Sequence, residues 1–298
     1  MNQSNHLQLL LFGNRFRPGL LRQIVVYSLL ILLAALFLLP FYWMLNTALK
    51  PNNQVFTLPP TWVPDPPQWS NFLLALTTRH ESQPPVYQYG LNTAIITVNG
   101  VLATIFSSSL VAYAFARLDF PGKRVLFLGV LSTLMIPFAV VMVPQFIIWR
   151  NLNWLDTLWP LIIPHWFGSA WNIFLLRQFF MAIPREYDEA ALIDGASRWA
   201  IYWRIILPLA KPALAAVGVF AFVFFWNDFL GPLIILSTPK NFTLTIFLAN
   251  FSVAYGGRTT PWNLYMAAAL AIILPCLLVF FFSQNAFLKG ITITDFKR

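Results

Sequence analysis

Runs of about twenty mostly apolar residues recur along this chain, separated by polar or proline-rich stretches. The pattern predicts helical spans over about 24–45, 91–116, 125–148, 158–178, 212–236 and 264–288. At 1.5 Å per residue, such helices cover the ~30 Å of hydrocarbon in a bilayer. Pro137 and Pro144 fall inside the third run, and Pro160 and Pro164 open the fourth. A helix bundle tolerates prolines where neighbouring helices repair the broken backbone bonds. Segment 46–90 holds "LPPTWVPDPPQWSNF", a composition that suits polyproline and turn conformations rather than helix. Segment 238–262 is polar, with aromatic residues and glycines. The expected fold class is an all-α polytopic membrane protein. It has a tail (1–22), one transmembrane domain (23–288) with six transmembrane helices, and a closing tail (289–298). The first apolar run exceeds a signal-peptide core and no small-residue cleavage site follows it, so it reads as a retained helix.

The densest charge lies in loop 179–211, between the fourth and fifth spans, as "EYDEAALIDGASRWAIYWRIILPL" (186–209). Pro184 suits a first helical turn, and Glu186, Asp188 and Glu189 place negative charge at the positive end of the helix dipole. Ala190, Ala191 and Leu192 favour helix, and Gly195 suits a left-handed C-terminal cap. The chain resumes with Trp199, Tyr202, Trp203 and Ile206 at spacings of three and four, beside Arg198 and Arg204. Such an aromatic stripe fits a helix lying along the membrane interface. Pro208 and Pro212 mark the bend into the fifth span. The loop therefore reads as a helix–glycine–helix elbow. On composition alone, an ordinary surface loop fits it equally well.

Composition agrees with a membrane protein: 58% of residues are hydrophobic, only 10% are charged, and the mean hydropathy is +0.67. Soluble chains carry roughly 25% charged residues. The net charge of +9 reads as topology rather than as a nucleic-acid footprint. With both termini inside, only Lys50, Arg79, Arg150, Lys240 and Arg258 of the 19 basic residues fall outside. That asymmetry orients the chain N-in and C-in, with the elbow in the cytoplasm.

Catalytic chemistry finds little support. Cys276 is the only cysteine, and His6, His80 and His165 lie far apart without an HExxH pattern, so no metal site is expected. Gly122-Lys123 lacks the surroundings of a phosphate-binding loop. An integral membrane enzyme would need paired titratable groups, and an ion-driven secondary transporter would be expected to show an internal repeat or more intramembrane carboxylates. Asp228 is the one acidic residue deep within an expected span, next to Asn227 and Trp226. A carboxylate, an amide and an indole suit sugar hydroxyls and apolar sugar faces. They equally suit a structural polar knot reaching Arg150 or Arg258. Gln145, beside Pro144, is a further cavity candidate. Ser107–Ser109 suit close helix packing, and His165 suits a hydrogen-bonded helix contact.

The elbow resembles the EAA signature of membrane subunits of binding-protein-dependent ABC importers. Glu189-Ala190-Ala191, Asp194-Gly195-Ala196 and Ile206-Leu207-Pro208-Leu209 stand at the required spacing, with Trp203 where phenylalanine is common. "AYAFARLDFPGKR", "MIPFAVVMVPQF", "FFWNDFLGPLIIL" and "GITITDFKR" are similar to the carbohydrate-uptake subclass, especially its six-helix subunits. The resemblance implies a type I importer permease fold and a non-enzymatic subunit that moves a sugar, such as a di- or oligosaccharide or related glycoside. It implies that Glu189, Ala190, Ala191, Asp194, Gly195 and Ala196 dock in a cytoplasmic ATPase. It further implies a homologous second permease, two ATPase subunits that hold ATP and Mg, and an extracytoplasmic solute-binding protein. The aromatic residues and glycines of segment 238–262 suit contact with such a binding protein, and a plain connecting loop fits them nearly as well. No cofactor is expected on this chain itself.

Overall fold

The structure is a computed structural model, and it describes residues 13–14, 17–77, 83–254 and 260–291. Arg15, Arg258 and residues 292–298 of the closing tail lie outside them. Apart from an antiparallel ladder pairing Gly13 with Pro18 and Asn14 with Arg17, the described elements are helical. The chain divides into two compact units, residues 1–75 with 261–270, and residues 76–260 with 271–298.

In the first unit, α1 (Leu20–Leu49) is a single apolar helix that keeps Pro40 inside it. It stops where Lys50, preceding Pro51, turns extended (φ −78°, ψ 147°), as the steric demand of a following proline requires. The proline-rich stretch then folds back along the end of α1. Asn46 donates to Thr61 O (3.1 Å) and Tyr42 donates to Trp62 O. Helix α2 (Ser70–Thr77) follows, although proline and turn composition had suggested no helix in this segment. The dense proline run ends at Pro67, no further proline occurs before Pro84, and "SNFLLALT" carries no breaker. Asn71, at the start of α2, donates to Ala48 O (2.8 Å) and Lys50 O (3.0 Å), using carbonyls that the end of α1 leaves open.

The second unit is built on α3 (Val86–Arg117), 32 residues that begin directly after Pro84-Pro85. Gly122, at φ +77°, turns the chain into α4 (Lys123–Ser132), and α5 (Phe138–Asn151) follows. The third expected span is therefore not one helix. Its two halves bend by 98° at Ile136-Pro137, where Ile136 is extended, while Pro144 is accommodated inside α5. The fourth expected span is also interrupted. After α6 (Trp159–Ile162) and a 3-10 stretch, Gly168 at φ +92° breaks the chain before α7 (Ala170–Ala182). Helix α8 (Glu186–Ile193) leads to α9 (Arg198–Leu209), which bends by 77° into α10 (Lys211–Trp226). The fifth expected span stops at Trp226, and α11 (Leu230–Ile235) is separate. Helix α12 (Leu244–Ala249) precedes α13 (Trp262–Ile291), which is continuous. Among the described residues three helices are each long and apolar enough to cross a membrane, and up to five are if each bent pair forms one span.

Helices α7 and α10 pack on α3. Gly100 lets α10 approach closely, because a Cβ there would lie 2.5 Å from the buried ring of Phe225. Toward the other end of α3, Ala112, Tyr113 and Ala116 join Leu176, Phe180 and Tyr202 in one buried apolar cluster.

Candidate functional site

The elbow folds much as its local chemistry dictates. Helix α8 opens at Glu186 with Arg185 as N-cap, so Pro184 stands just before the helix rather than in its first turn. Its acidic residues Glu186, Asp188 and Glu189 occupy the first turn, where the dipole favours negative charge. The helix ends in a Schellman turn: Gly195 N–H donates to Leu192 O (3.0 Å) and Ala196 N–H donates to Ala191 O (2.9 Å). Gly195 sits at φ +80°, the left-handed region its sequence position suggested. Ser197 then caps α9 by accepting from Ala200 N–H (3.2 Å).

The two faces of α8 differ sharply. Glu186, Glu189, Ala190 and Asp194 are exposed, and Ile193 is 87% exposed. Asp188 and Ala191 point inward and are buried. The alanine pair of the signature therefore divides, with Ala190 presented outward and Ala191 packed into the cluster beneath. The second arm also departs from expectation. Its aromatic stripe is not one face, because Tyr202 and Ile206 are buried while Trp199 and Trp203 are exposed. Tyr202–Ile206 widens into a π turn. Pro208 has no N–H to give Arg204 O, and a π turn accommodates such a gap.

Three residues that the sequence pattern did not single out for the elbow hold it against α3. Arg117 donates to Ile183 O (2.7 Å) and pairs with the Asp188 carboxylate at 3.6 Å, both side chains being almost wholly buried. Tyr113 donates to Arg198 O (2.9 Å), and Ser109 shares a 2.8 Å hydrogen bond with the Tyr202 hydroxyl. Charge counting had absorbed Arg117 into topology. The signal that finds it is the four-residue spacing that links Ser109, Tyr113 and Arg117 in turn. The neighbouring serines pack helices, as expected: Ser107 donates to Ala103 O and His165 O, and Ser108 accepts from Ser169 N–H. His165 lies edge-on to Phe225, with ring centroids 4.4 Å apart.

The candidate solute-pathway residues cluster around the break after α10. Trp226 donates to Ile272 O (2.9 Å) and stacks on Phe222. Asn227 donates to Val223 O (2.8 Å) and to Cys276 Sγ (3.6 Å). Asp228 is thus past the helix end, not within a continuous span, and its carboxylate accepts from Gly231 N–H (3.2 Å) at the start of α11. Among the described residues no ion pair joins Asp228 to Arg150. Gly231 in turn lines a small apolar cleft together with Gln145, Phe138 and Trp149. Gln145 and the Asp228 turn therefore adjoin one cleft, and Trp226 and Asn227 serve helix-end contacts.

Segment 237–244 is clasped from two sides. Asp156, at φ +57°, accepts from Ser237 N–H (2.9 Å), Thr238 N–H (2.9 Å) and the Thr238 hydroxyl. Asn241 donates to Asp156 O (2.6 Å). On the other side Gln88 and Asn92 donate to Lys240 O (3.0 and 2.9 Å), Asn92 also donates to Phe242 O (2.9 Å), and Thr93 accepts from Leu244 N–H (2.9 Å). Partial burial raises the Asp156 carboxyl, but the hydrogen bonds from Thr238, Ser237 and Asn241 outweigh it and hold the group well below the usual carboxylate range. A depressed folded value means that this stabilisation is complete above pH ~4 and is lost as pH falls toward the folded value. Asp156→Ala is expected to lower stability by about 1–2 kcal/mol, read as thermal unfolding in mild detergent at neutral pH. The deficit should narrow on acidification.

Comparison with known proteins bears on both the elbow and the whole chain. The family model described as "Binding-protein-dependent transport system inner membrane component" matches residues 100–293, the elbow included. The sn-glycerol-3-phosphate transport system permease protein UgpE of Yersinia enterocolitica is 34% identical over 280 residues, covering 92% of this chain and 97% of that one. The arabinooligosaccharides transport system permease protein AraQ of Bacillus subtilis is 30% identical over 268 residues (89% and 92%). The diacetylchitobiose uptake system permease protein DasC of Streptomyces coelicolor is 30% identical over 254 residues (85% and 89%). In fold, the chain matches a crystal structure of a bacterial ABC transporter involved in the import of the acidic polysaccharide alginate. The TM-score is 0.75 at 23% identity, over 96% of this chain and 99% of that one. The architecture is accordingly that of an ABC importer permease. With apolar helices long enough for a bilayer, an elbow inside the matched region and relatives aligned over most of their length, the chain belongs to the family of inner-membrane components of binding-protein-dependent transport systems.

Proposed function

We propose that this chain is the permease subunit of an ATP-driven importer that carries a carbohydrate, a di- or oligosaccharide or a related polyol conjugate, into a bacterial cytoplasm. It spans the inner membrane with both termini inside and pairs with a homologous permease. It receives solute from an extracytoplasmic binding protein and docks its elbow in a cytoplasmic ATPase that holds ATP and Mg. The named solutes of its relatives, arabinooligosaccharides, diacetylchitobiose and sn-glycerol-3-phosphate, share a polyhydroxyl skeleton, which supports the solute class. A solved alginate transporter is described in complex with its pentasaccharide-bound periplasmic protein, which supports the outer partner.

One observation carries the coupling role. Helix α8 turns Glu189, Ala190 and Ile193 to solvent while Asp188 and Ala191 root it in the bundle. Surface helices ordinarily bury their large apolar side chains, so an isoleucine held outward beside a small alanine suits a partner's cleft. In a Cys276→Ser background, Ala190→Cys is expected to form a disulfide with a cysteine placed in the docking cleft of the ATPase. Ala191→Cys, which faces inward, is expected to react far less. Equal cross-linking at the two positions, or none at either in a complex that contains the ATPase, would refute the docking face. Solute-stimulated ATP hydrolysis in proteoliposomes separates a pump from an ion-gradient carrier, and a thermal-shift screen of sugars against the binding protein names the solute.

A further inference from the structure

Ser109, Tyr113 and Arg117 recur every four residues on α3, so they lie on one face of that helix. All three are buried, at 1%, 3% and 5% exposure. Each spends its polar group on a different part of the elbow. Arg117 grips the first arm through Asp188 and the entry to that arm through Ile183 O. Tyr113 grips the start of the second arm at Arg198 O, and Ser109 grips its middle at Tyr202. The Tyr113 and Tyr202 rings also pack at 5.1 Å. Both arms are thereby fastened to a helix that is not adjacent to them in sequence.

The same helix holds the clasped segment 237–244 near its other end, through Gln88, Asn92 and Thr93. From Gln88 to Arg117 an unbroken α-helix extends about 40 Å. By contrast, the chain leaving the elbow is less direct. It bends by 77° between α9 and α10 and breaks again after Trp226, and the chain entering it breaks at Gly168.

We propose that α3 is the lever of the permease. Its buried Ser109–Tyr113–Arg117 stripe takes up displacement of the elbow, and its Gln88–Asn92–Thr93 end delivers it to segment 237–244. Sequence continuity assigns that task to the helices flanking the elbow. The contacts assign it to the helix three polar anchors away. The Arg117–Asp188 pair itself leaves Arg117 Nε and Asp188 Oδ1 without partners. An incompletely satisfied buried ion pair is weak support for stability, and here it fixes the position of one helix on another.

The proposal rests on the docking role of the elbow, so its test reads that role separately. In the detergent-purified complex with its ATPases, carrying Cys276→Ser and Lys240→Cys, the maleimide labelling rate at position 240 is measured with and without Mg-ATP and vanadate. With the stripe intact, nucleotide should change the rate by about fivefold or more, the low end of ordinary allosteric coupling. In Arg117→Met/Asp188→Leu, which replaces the pair by apolar side chains together, the ATPase should still co-purify and the nucleotide response should vanish. Tyr113→Phe removes only a hydroxyl. It should reduce the response with melting little changed, which a purely structural role would not do. A nucleotide response of full size in Tyr113→Phe and in the double variant, or in Tyr113→Phe alone if the double variant does not fold, overturns the lever. So does the absence of any response in the intact, ATP-hydrolysing complex. Failure of the ATPase to associate with the elbow even in the unaltered chain overturns the docking reading instead.

Discussion

Gly195→Pro is expected to abolish solute uptake while the protein still inserts in the membrane. Gly195 holds φ at +80°, whereas proline is fixed near −65°. Proline also lacks the N–H that Gly195 donates to Leu192 O, so the turn loses both its left-handed residue and one of its two closing bonds. The arm Glu186–Ile193 would then leave the elbow at a different angle, and a docked helix that misses its cleft transmits nothing. Gly195→Ala is the graded control. A Cβ built at this position meets nothing within 4 Å, so its cost is conformational only, about 1–2 kcal/mol for a left-handed alanine. Uptake by Gly195→Ala should fall partially and by Gly195→Pro completely, with equal amounts of both proteins in washed membranes. Wild-type uptake by the proline variant would show that elbow geometry is not part of transport.

Gly195 was legible because a helix cap is local: the acidic first turn, the run of helix formers and the glycine lie within ten residues. The long apolar helices α1, α3 and α13 were legible for a similar reason, since hydropathy is a property of consecutive residues. Breaks were less so. A hydropathy window over 125–148 or 212–236 registers apolar content, but Ile136-Pro137 and Asn227-Asp228 alter the backbone without lowering that content. The consequence reached the candidate site. Asp228 was expected deep within a span whose helix in fact ends at Trp226, and its carboxylate accepts from Gly231 N–H at the start of the next helix. Asp156 was invisible from sequence, because nothing near it announces that Ser237, Thr238 and Asn241 will converge on it. The aromatic stripe of α9 failed in a more instructive way. Regular spacing put Trp199, Tyr202, Trp203 and Ile206 on one face, but the π turn before Pro208 and the hydroxyl of Ser109 drew Tyr202 inward and left the tryptophans out.

Arg117→Met alone should be among the most destabilising single substitutions in the second unit, by about 3–5 kcal/mol, because it strands a buried carboxylate. Asp188 is 6% exposed, and one of its oxygens already has no partner, so no second donor stands ready to replace the guanidinium. Ile183 O would lose its 2.7 Å donor at the same time. Methionine keeps much of the side-chain length and apolar packing, which confines the loss to charge and hydrogen bonding. The expected result is a large fall in melting temperature, or loss of folded protein from detergent extracts, for Arg117→Met and for Asp188→Leu separately. Their combination should be far less damaging than the sum of the two, since neither then leaves a charge unpaired. That non-additivity distinguishes an ion pair from two independent packing residues: strictly additive losses would mean that Arg117 and Asp188, 3.6 Å apart, contribute to the fold without acting on each other.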